Sequence, residues 1–432
     1  MIPKELQILL QIIYGIKNKK MKNKLIPIQD ALNLMLTDLK EIKQTETVCI
    51  SKCEGRILAE NIYGDFDIPE NDNSALDGYA FNYELAKKKG FKNLKIVGKS
   101  RPGKPFLGRC SNGEAIKIYT GAYILHHKKQ NVDTVVMEED CDSNLKEIIS
   151  MKNIPSKGSN IRKRGEDVRK SNALFKKKTK LRVVDVCQLS SIGIKTIKVI
   201  RKIKVGIFST GDELQDLSQR KKKYHIYDAN RLVLSLLLEK FNCDVIDLGI
   251  IRDKEEETSE KILRNINYVD FMLTSGGISS SSTDKVSNFI RNNGKLKFWK
   301  LAIKPGRPMA LGTVNKKTII GLPGNPVAAI VTFLMLVTKY INKISGISKK
   351  DCIPRYLPSN FHMEKKYGRT EWLRGKIIVL RGKYFIDKFE TSGSGIISSI
   401  SNTDGIIELD EKLTKISKGM LLKFYRYEDL LI

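Results

Sequence analysis

The chain has 432 residues, 41% of them apolar, which is enough for two to four domains with complete hydrophobic cores. No uninterrupted apolar run reaches the ~18 residues that indicate a membrane span, so the sequence predicts no membrane association. The formal net charge is +29, but the lysines are spread along the whole chain. Because no helix-turn-helix, zinc finger or aromatic-basic RNA motif accompanies them, we expect no nucleic-acid partner. A cationic surface would still attract an anionic substrate.

The first 24 residues contain six lysines and one glutamate around a short apolar run. The run is too short to cross a bilayer and its basic residues mostly follow it, which disfavours a secretory signal. We predict a basic extension, residues 1–24, with Met21 as an alternative start. The seven cysteines are dispersed without a Cys-x-x-Cys pair, a pattern that favours reduced thiols in the cytoplasm.

The first 200 residues predict a mostly β structure. Apolar residues recur at helical spacing over 28–43, with Asp30 as the N-cap. Short strand-like runs follow, separated by Gly and Pro, and residues 157–167 form a polar loop. A short helix over 183–192 leads into a strand over 196–200.

After Arg201 the pattern changes to alternating strands and helices. Strands are predicted at 205–209, 244–248, 271–274 and 297–303, with Asp228 capping the first helix of this region. This alternation predicts a doubly wound α/β domain whose ligands bind at the carboxyl ends of parallel strands. Beyond Gly346 the short, Gly-punctuated strands predict a small β domain.

Two segments of the α/β region predict an anion site. Residues 300–308 end a strand with three cations around a Pro-Gly turn, and residues 321–326 place two Pro and two Gly before an apolar helix. The free N–H groups and positive dipole end of that helix suit an anion. Lys300 and Lys304 lie four apart on the predicted strand, so alternation would put both on one face.

Four acids follow predicted strands of the same domain: Asp212, Glu213, Asp253 and Asp284. We expect them at one edge of the sheet, where clustered carboxylates facing lysines suit Mg²⁺ beside a phosphorylated substrate. Each acid taken alone is more commonly a helix cap or a solvated loop residue, and for Asp284 capping is equally favoured.

Ten ordered motifs resemble the molybdopterin molybdenumtransferase family, the bacterial counterpart of the gephyrin E domain. They lie at residues 72–80, 119–122, 135–138, 160–167, 208–214, 227–231, 248–253, 274–279, 300–308 and 321–326. The resemblance runs from about Ile28 to the C-terminus.

The resemblance implies a homodimer with four domains per subunit after the extension. The domains would be 25–63 with 164–201 (linker), 64–163 (β-rich lid), 202–346 (molybdopterin-binding α/β) and 347–432 (β). It also implies that adenylylated molybdopterin and molybdate are the substrates and that AMP leaves. Further partners would be transient contacts with the molybdopterin adenylyltransferase and with molybdoenzymes.

The resemblance also implies roles for individual residues. Glu213, Asp253 and Asp284 would bind the metal and act in catalysis with Asp77 and Asp167, the latter two facing the cleft from the partner subunit. The residues implied in substrate binding are Thr120, Ser275, Gly276, Gly277, Lys300, Lys304, Pro323, Gly324, Asn325, Arg369 and Ser394.

The sequence departs from the family pattern in three places. Residues 279–282 are all serine where a Val-Gly pair is usual, Arg307 replaces a common lysine, and Ile396 stands where histidine is frequent. Two other functions stay open: the molybdopterin adenylyltransferase, which resembles only residues 201–346, and a non-catalytic scaffold of the gephyrin type.

Overall fold

The computed structural model describes residues 25–145, 147–252, 254–278, 285–347, 352–391 and 393–431. They divide into two compact units. The small unit contains Glu60–Lys177 and Val183–Ile197; the large unit contains Lys178–Arg182, the described residues up to Ala59 and those from Lys198 onward.

The α-helices of the described residues are, in chain order, α1 (Ile28–Leu36), α2 (Tyr83–Lys88), α3 (Val183–Ser191), α4 (Ala229–Lys240), α5 (Glu255–Asn265), α6 (Lys285–Asn293), α7 (Pro326–Ile344, with a π-helical segment at Phe333–Val337), α8 (Ser398–Ser401) and α9 (Tyr427–Leu430). Short 3₁₀ turns lie at Ile50–Lys52, His126–Lys128, Glu138–Asp140 and Ile266–Tyr268.

The strands are β1 (Thr45–Cys49), β2 (Ile62–Tyr63), β3 (Asn73–Ser74), β4 (Gly78–Phe81), β5 (Leu94–Ser100), β6 (Glu114–Ile118), β7 (Thr134–Met137), β8 (Cys141–Leu145), β9 (Ile148–Met151), β10 (Ile161–Arg162), β11 (Ala173–Phe175), β12 (Thr196–Ile200), β13 (Ile203–Thr210), β14 (Leu214–Gln215), β15 (Ile226–Tyr227), β16 (Cys243–Ile251), β17 (Phe271–Ser275), β18 (Gly294–Lys300), β19 (Ile303–Lys304), β20 (Pro308–Val314), β21 (Lys317–Leu322), β22 (Arg355–Pro358), β23 (Met363–Glu364), β24 (Thr370–Leu380), β25 (Lys383–Lys388), β26 (Gly405–Leu409), β27 (Lys415–Ile416) and β28 (Leu421–Arg426).

The small unit is built on a six-stranded sheet with the order β7-β4-β6-β5-β9-β8. Both faces of strand β4 are covered, because Tyr79 and Phe81 enter one apolar cluster and Ala80 enters another. Successive side chains of a strand point to opposite faces, so this alternation requires packing on both sides of the sheet. The predicted β-rich character of this part of the chain is confirmed.

The α/β part of the large unit has the strand order β16-β13-β17-β21-β20-β18. The first four strands are parallel; β20 runs antiparallel to β21, and β18 antiparallel to β20. Helices α4 and α7 pack on one face through Leu234 and Val331, and α5 and α6 on the other through Ile262 and Phe289. The predicted doubly wound sheet is confirmed.

Helix α7 is the longest apolar element of the α/β layer. Its length and composition would suffice to cross a membrane, but 78% of its most apolar 18-residue window is buried inside the protein. Its buried residues belong to the same cluster as those of strands β13 and β21. We therefore describe α7 as the central core helix of this layer.

A second six-stranded sheet forms the C-terminal part of the large unit. Its order is β19-β24-β26-β28-β22, with β25 paired to the far end of β24. Strand β24 has 11 residues, so it is longer than the short strands that the sequence predicts. The core beneath it contains Phe361, Leu373, Ile407 and Phe424.

The predicted strand over residues 297–303 is wrong in its extent. Strand β18 ends at Lys300, and the next two extended residues, Ile303 and Lys304, form β19 in the other sheet. The chain leaves the α/β sheet here because β19 pairs in parallel with β24. Lys300 and Lys304 therefore do not share one strand face.

The predicted first helix is also shorter than expected. Helix α1 ends at Leu36 because Thr37 is extended, and Asp38 follows with a φ of 61°. Pro27 occupies the N-cap position, so Asp30 lies in the first turn and is not the cap. The predicted cap of α4 is confirmed, since Asp228 accepts a hydrogen bond from the Arg231 backbone N–H at 3.1 Å.

A charged pair fixes the amino ends of strands β13 and β17. Both Nη atoms of Arg201 donate to the Asp270 carboxylate, at 2.7 and 2.8 Å, and the Lys204 backbone N–H donates at 2.8 Å. Burial alone would raise the pKa of Asp270, but these hydrogen bonds, first those of Arg201, hold it below its usual value. This edge of the sheet lies opposite the carboxyl ends of the parallel strands.

We expect Asp270→Asn to lower the free energy of unfolding by about 2–3 kcal/mol at pH 7, because it removes the charge that Arg201 pairs with. A carboxylate whose folded pKa is depressed stabilises above its unfolded pKa, about 3.9, and that contribution is lost as pH falls through the folded value. Urea unfolding of both proteins between pH 7 and pH 3 should show the difference shrinking below about pH 4. If the two unfolding free energies differed by the same amount at every pH, the depressed pKa assigned to Asp270 would be contradicted. The control is Asp244→Asn, at an exposed position of β16.

Candidate active site

A cavity of about 530 Å³ opens at the carboxyl ends of the parallel strands. Strand register places Ser209 of β13 beside Ser275 of β17, and Ser275 beside Leu322 of β21. The loops that leave these strands, together with the start of α4, therefore form the walls. This is the position that the sequence predicts for a ligand in a doubly wound sheet.

Close backbone approach shapes this cavity. Gly276 and Gly277 have φ values of 88° and 65°, a region that residues with a side chain rarely adopt. A Cβ atom on Gly276 would lie 2.5 Å from the Thr210 carbonyl oxygen, and a Cβ atom on Gly324 would lie 3.8 Å from the Gly276 Cα. The structure thus brings Ser275, Gly276, Gly277 and Gly324 together, as the resemblance implies.

The side chain of Asn230 ties two of the loops together. Its Nδ2 donates to Ser275 Oγ and to the Gly324 carbonyl oxygen, both at 2.7 Å. Ser275 Oγ in turn donates to the Pro323 carbonyl oxygen at 3.0 Å. Asn230 is 8% exposed, so these bonds lie in a nearly dry environment.

A network around Arg231 supports the start of α4. Arg231 pairs with Asp216 at 2.7 Å, with Asp228 at 2.9 Å and with Asp247. Asp228 also accepts a hydrogen bond from Ser209 Oγ at 3.0 Å. Asp228 and Asn230 line the cavity, although neither was among the predicted site residues. The sequence feature that could have identified them is the 227–231 motif, because it begins a helix at the same edge of the sheet.

Glu213 is the predicted metal ligand that the structure places at this cavity. Asp253 and Asp284 lie outside the described residues, so the predicted gathering of the acids stays a prediction. Within the described ranges, no group of three His, Cys, Asp or Glu residues could hold a metal ion.

A second, smaller cavity of about 330 Å³ lies beside the first. Pro308 lines both cavities, while Pro323 and Asn325 line the small one and Gly324 and Pro326 the large one. Its polar lining brings together residues from three parts of the large unit: Lys304, Arg307, Asn325, Arg369 and Ser394. We call this the cationic cavity. Five predicted binding residues, Lys304, Pro323, Asn325, Arg369 and Ser394, meet in it.

Two contacts connect the C-terminal sheet to this cavity. Asn325 Nδ2 donates to Ser394 Oγ at 2.8 Å, and the Val327 backbone N–H donates to the Ser394 carbonyl oxygen at 3.2 Å. The amino end of α7, which begins with Pro326, therefore faces this region. An anion is favoured here by the helix dipole as well as by the three cations.

Lys300 occupies a different position from Lys304. Its ammonium lies 4.3 Å from the centre of the Trp299 ring, and it lines neither cavity. The prediction that alternation puts both lysines on one face is wrong, because the strand breaks between them. Trp299 Nε1 donates to the Ile278 carbonyl oxygen at 3.1 Å, which indirectly connects Lys300 to the loop that contains Gly276 and Gly277, the glycine loop.

Three predicted site residues belong to the small unit. Asp77 Oδ1 accepts hydrogen bonds from the Thr120 hydroxyl at 2.6 Å and from the Thr120 backbone N–H at 2.7 Å. These bonds, the hydroxyl first, lower the pKa of Asp77 below its usual value. Asp167 is exposed, and its backbone N–H donates to the Ile68 carbonyl oxygen. The structure thus brings Asp77 and Thr120 together.

Three family models match successive parts of the chain. They are the MoeA N-terminal region (domain I and II) at residues 26–193, the probable molybdopterin binding domain at 206–343 and the MoeA C-terminal region (domain IV) at 356–427. The chain is also 34% identical to the molybdopterin molybdenumtransferase of Haemophilus influenzae, over 94% of this chain and 100% of that one. The chain belongs to the molybdopterin molybdenumtransferase family.

Other relatives agree with this assignment. A molybdopterin molybdenumtransferase of Nostoc is 29% identical over 91% of this chain and 92% of its own length. The crystal structure of the molybdopterin biosynthesis MoeA protein from Pyrococcus horikoshii OT3 covers 93% of this chain and 100% of its own, with a TM-score of 0.78 and 29% identity. The family resemblance and the fold class predicted from the sequence are confirmed.

The effect of close backbone approach in the glycine loop can be tested by comparing Gly276 with Gly249, a glycine of similar φ. We expect Gly249→Ala to cost about 1 kcal/mol of unfolding free energy, because its φ is 78° but no atom of the described residues lies within 4 Å of the added Cβ. Gly276→Ala, with a similar φ, should cost clearly more because the Thr210 carbonyl must move. Urea unfolding of both variants measures the difference. Equal costs would show that close approach does not constrain this loop.

Proposed function

We propose that this protein inserts molybdenum into molybdopterin in molybdenum cofactor biosynthesis. It takes adenylylated molybdopterin and molybdate, releases AMP and leaves molybdenum on the molybdopterin. The observation that carries the proposal is the pair of adjoining cavities at one sheet edge, one with a glycine-rich backbone wall and one lined by three cations.

The larger cavity suits the adenylylated molybdopterin. Glycines with positive φ can present backbone N–H groups to the cavity, where these groups can donate to phosphate oxygens at no cost in side-chain entropy. Thr210 Oγ1 is buried beside Gly276 and Gly277 and has no hydrogen-bond partner among the described residues. A buried hydroxyl without a partner is costly, so a polar substrate atom at this wall would be stabilised.

The cationic cavity suits molybdate. Ammonium and guanidinium groups bind tetrahedral oxyanions, and Arg369 is held with 21% of its side chain exposed while Lys304 keeps 38% exposed. Because the two cavities share Pro308 and the 323–326 loop, an oxyanion in one would lie next to a substrate in the other. Proximity of this kind converts a bimolecular step into one within the bound complex.

We further propose that a divalent ion, Mg²⁺, binds at Glu213, Asp253 and Asp284. Carboxylate oxygens are the ligands that Mg²⁺ prefers, and a bound ion there would neutralise phosphate charge. Of these three residues the structure describes Glu213, which lines the larger cavity. Lys300, beside Trp299, is proposed as a further cation near the same edge.

For the assembly, we propose a cytoplasmic homodimer in which Asp77, Thr120 and Asp167 face the substrate of the partner subunit. The support is the Asp77–Thr120 pair, which holds a carboxylate charged and fixed at an exposed position. Transient contacts with the molybdopterin adenylyltransferase and with the receiving molybdoenzymes would deliver the substrate and take up the product.

The purified protein, given adenylylated molybdopterin, molybdate and Mg²⁺, should release AMP in proportion to the molybdenum bound to molybdopterin. Chromatography of the nucleotide and metal analysis of the product measure both quantities. If the protein instead consumed ATP and molybdopterin to form the adenylylated product, it would be an adenylyltransferase. If it did neither yet bound a protein partner, the scaffold function would replace this proposal.

The same assay tests the acids. Asp253→Asn and Asp284→Asn should fold normally and lose divalent-dependent AMP release, because each keeps the side-chain shape while removing an anionic ligand. Asp244→Asn, an exposed acid of strand β16, should retain it. Parental rates in both test variants would remove the metal-site assignment.

Lys304→Ala should weaken molybdate binding by at least tenfold, because it removes one of the cations of the cationic cavity. The matched controls are Lys176→Ala and Lys177→Ala, two exposed lysines of the small unit. Titration with molybdate in the presence of molybdopterin measures the three affinities. If Lys304→Ala bound molybdate as tightly as the controls, Lys304 would be an ordinary surface lysine.

A further inference from the structure

A fully buried carboxylate lies beneath the cationic cavity. The side chain of Glu371, the second residue of β24, has 0% exposure, whereas the cations that it contacts are partly exposed. Burying a charge is costly unless it is paired and hydrogen-bonded. Its presence here therefore needs a reason beyond the packing of the C-terminal sheet.

Glu371 contacts two of the cavity's cations. Its Oε1 atom accepts from Arg369 Nε at 2.7 Å and lies 2.6 Å from Arg369 Nη2. Its Oε2 atom lies 3.6 Å from Lys304 Nζ, and among the described residues it has no hydrogen-bond partner. The carboxylate therefore orients the guanidinium strongly and the ammonium more loosely.

Strand pairing explains how one carboxylate reaches both cations. Lys304 of β19 and Glu371 of β24 are register partners in a parallel ladder, so their side chains leave the same face. Arg369 immediately precedes β24, and its Nε hydrogen bond of 2.7 Å brings the guanidinium to the same carboxylate. The two cations thus come from segments 65 residues apart in sequence (369 minus 304), and Glu371 is the contact that they share.

The charges of this group match a dianion. Lys304, Arg307 and Arg369 contribute three positive charges and Glu371 one negative charge, so the sum is 3 − 1 = +2. Arg369 uses its Nε and Nη2 atoms for Glu371, and within the described part of the chain Nη1 has no partner. A fixed guanidinium with an open edge loses little entropy when it binds an oxyanion.

We infer that Glu371 is a positioning residue for the oxyanion substrate, acting through Arg369 and Lys304. It fixes the open edge of Arg369, restrains the Lys304 ammonium and sets the cavity's charge to match a tetrahedral dianion. The inference rests on the proposed function of the cationic cavity, and it names the residue that makes that cavity selective.

The direct test measures molybdate binding to the full chain, by calorimetry with sodium molybdate, both without and with molybdopterin. Glu371→Gln keeps the side-chain shape and removes the charge. We expect at least a tenfold loss of affinity, although the net positive charge of the cavity rises by one. Glu408→Gln is the matched control, since Glu408 pairs with Lys423 at 3.1 Å on strand β26 of the same sheet. It should bind molybdate like the parent.

Two further measurements separate positioning from a general loss of structure. In the Lys304→Ala background, Glu371→Gln should reduce molybdate affinity less than it does in the parent, because part of its effect passes through Lys304. In AMP release, Glu371→Gln should raise KM for molybdate and leave KM for adenylylated molybdopterin unchanged. If Glu371→Gln fails to fold, Glu371→Asp replaces it, with a smaller loss expected because the shorter carboxylate keeps its charge.

The outcomes are distinct. A parent protein that binds no molybdate under either condition would overturn the proposed function of the cavity. A parent that binds molybdate, together with a folded Glu371 variant of equal or higher affinity, would overturn only the role of Glu371. Additive losses in the double variant would overturn the part of that role that acts through Lys304 and leave only the part that acts through Arg369.

Discussion

The carboxyl edge of the α/β sheet, where the larger cavity opens, depends on one buried amide. Asn230 donates from a single nitrogen to Ser275 Oγ and to the Gly324 carbonyl oxygen, and so joins the loops after β17 and β21. Both loops contain glycines, which have little intrinsic preference for one conformation. The amide supplies the restraint that the glycines lack. Because Asp228 caps α4 two residues before Asn230, the helix start also fixes the position of the amide.

The two edges of the same sheet use charge in different ways. At the amino edge, Arg201 and Asp270 are paired and partly buried, with 23% and 18% of their side chains exposed. At the carboxyl edge and the adjoining cavity, Lys304 and Arg307 remain open to solvent. Paired charges stabilise a fold locally, whereas accessible cations attract anions from solution. The function that we propose for this region therefore depends on cations that the fold leaves incompletely neutralised.

Local sequence patterns were sufficient for much of the fold. Strands β13 and β17 read as buried apolar runs, and the cap of α4 was identified from Asp228 alone, because each signal lies within a few residues. The break between β18 and β19 was not predictable in this way. It arises from pairing with β24, more than 60 residues later, and no local pattern around Lys300 reports that contact. The same difference holds for the candidate site. The glycine loop could be predicted from the local sequence, whereas the positions of Asn230 and Glu371 depend on contacts with segments distant in the chain.

That long-range pairing also bears on which part of the chain is sufficient for chemistry. The α/β region contributes Lys304, Arg307 and Asn325 to the cationic cavity, but Arg369 and Ser394 come from the C-terminal part. Ser394 contacts both Asn325 and the start of α7, so the C-terminal part also helps to order the 323–326 loop. An isolated α/β domain would keep the glycine wall and lose two of the five polar groups of the cavity, together with the carboxylate that orients them. An enzyme that only adenylylates molybdopterin needs no site for free molybdate, so the β19–β24 junction is the feature that favours molybdenum insertion over adenylyl transfer for this chain.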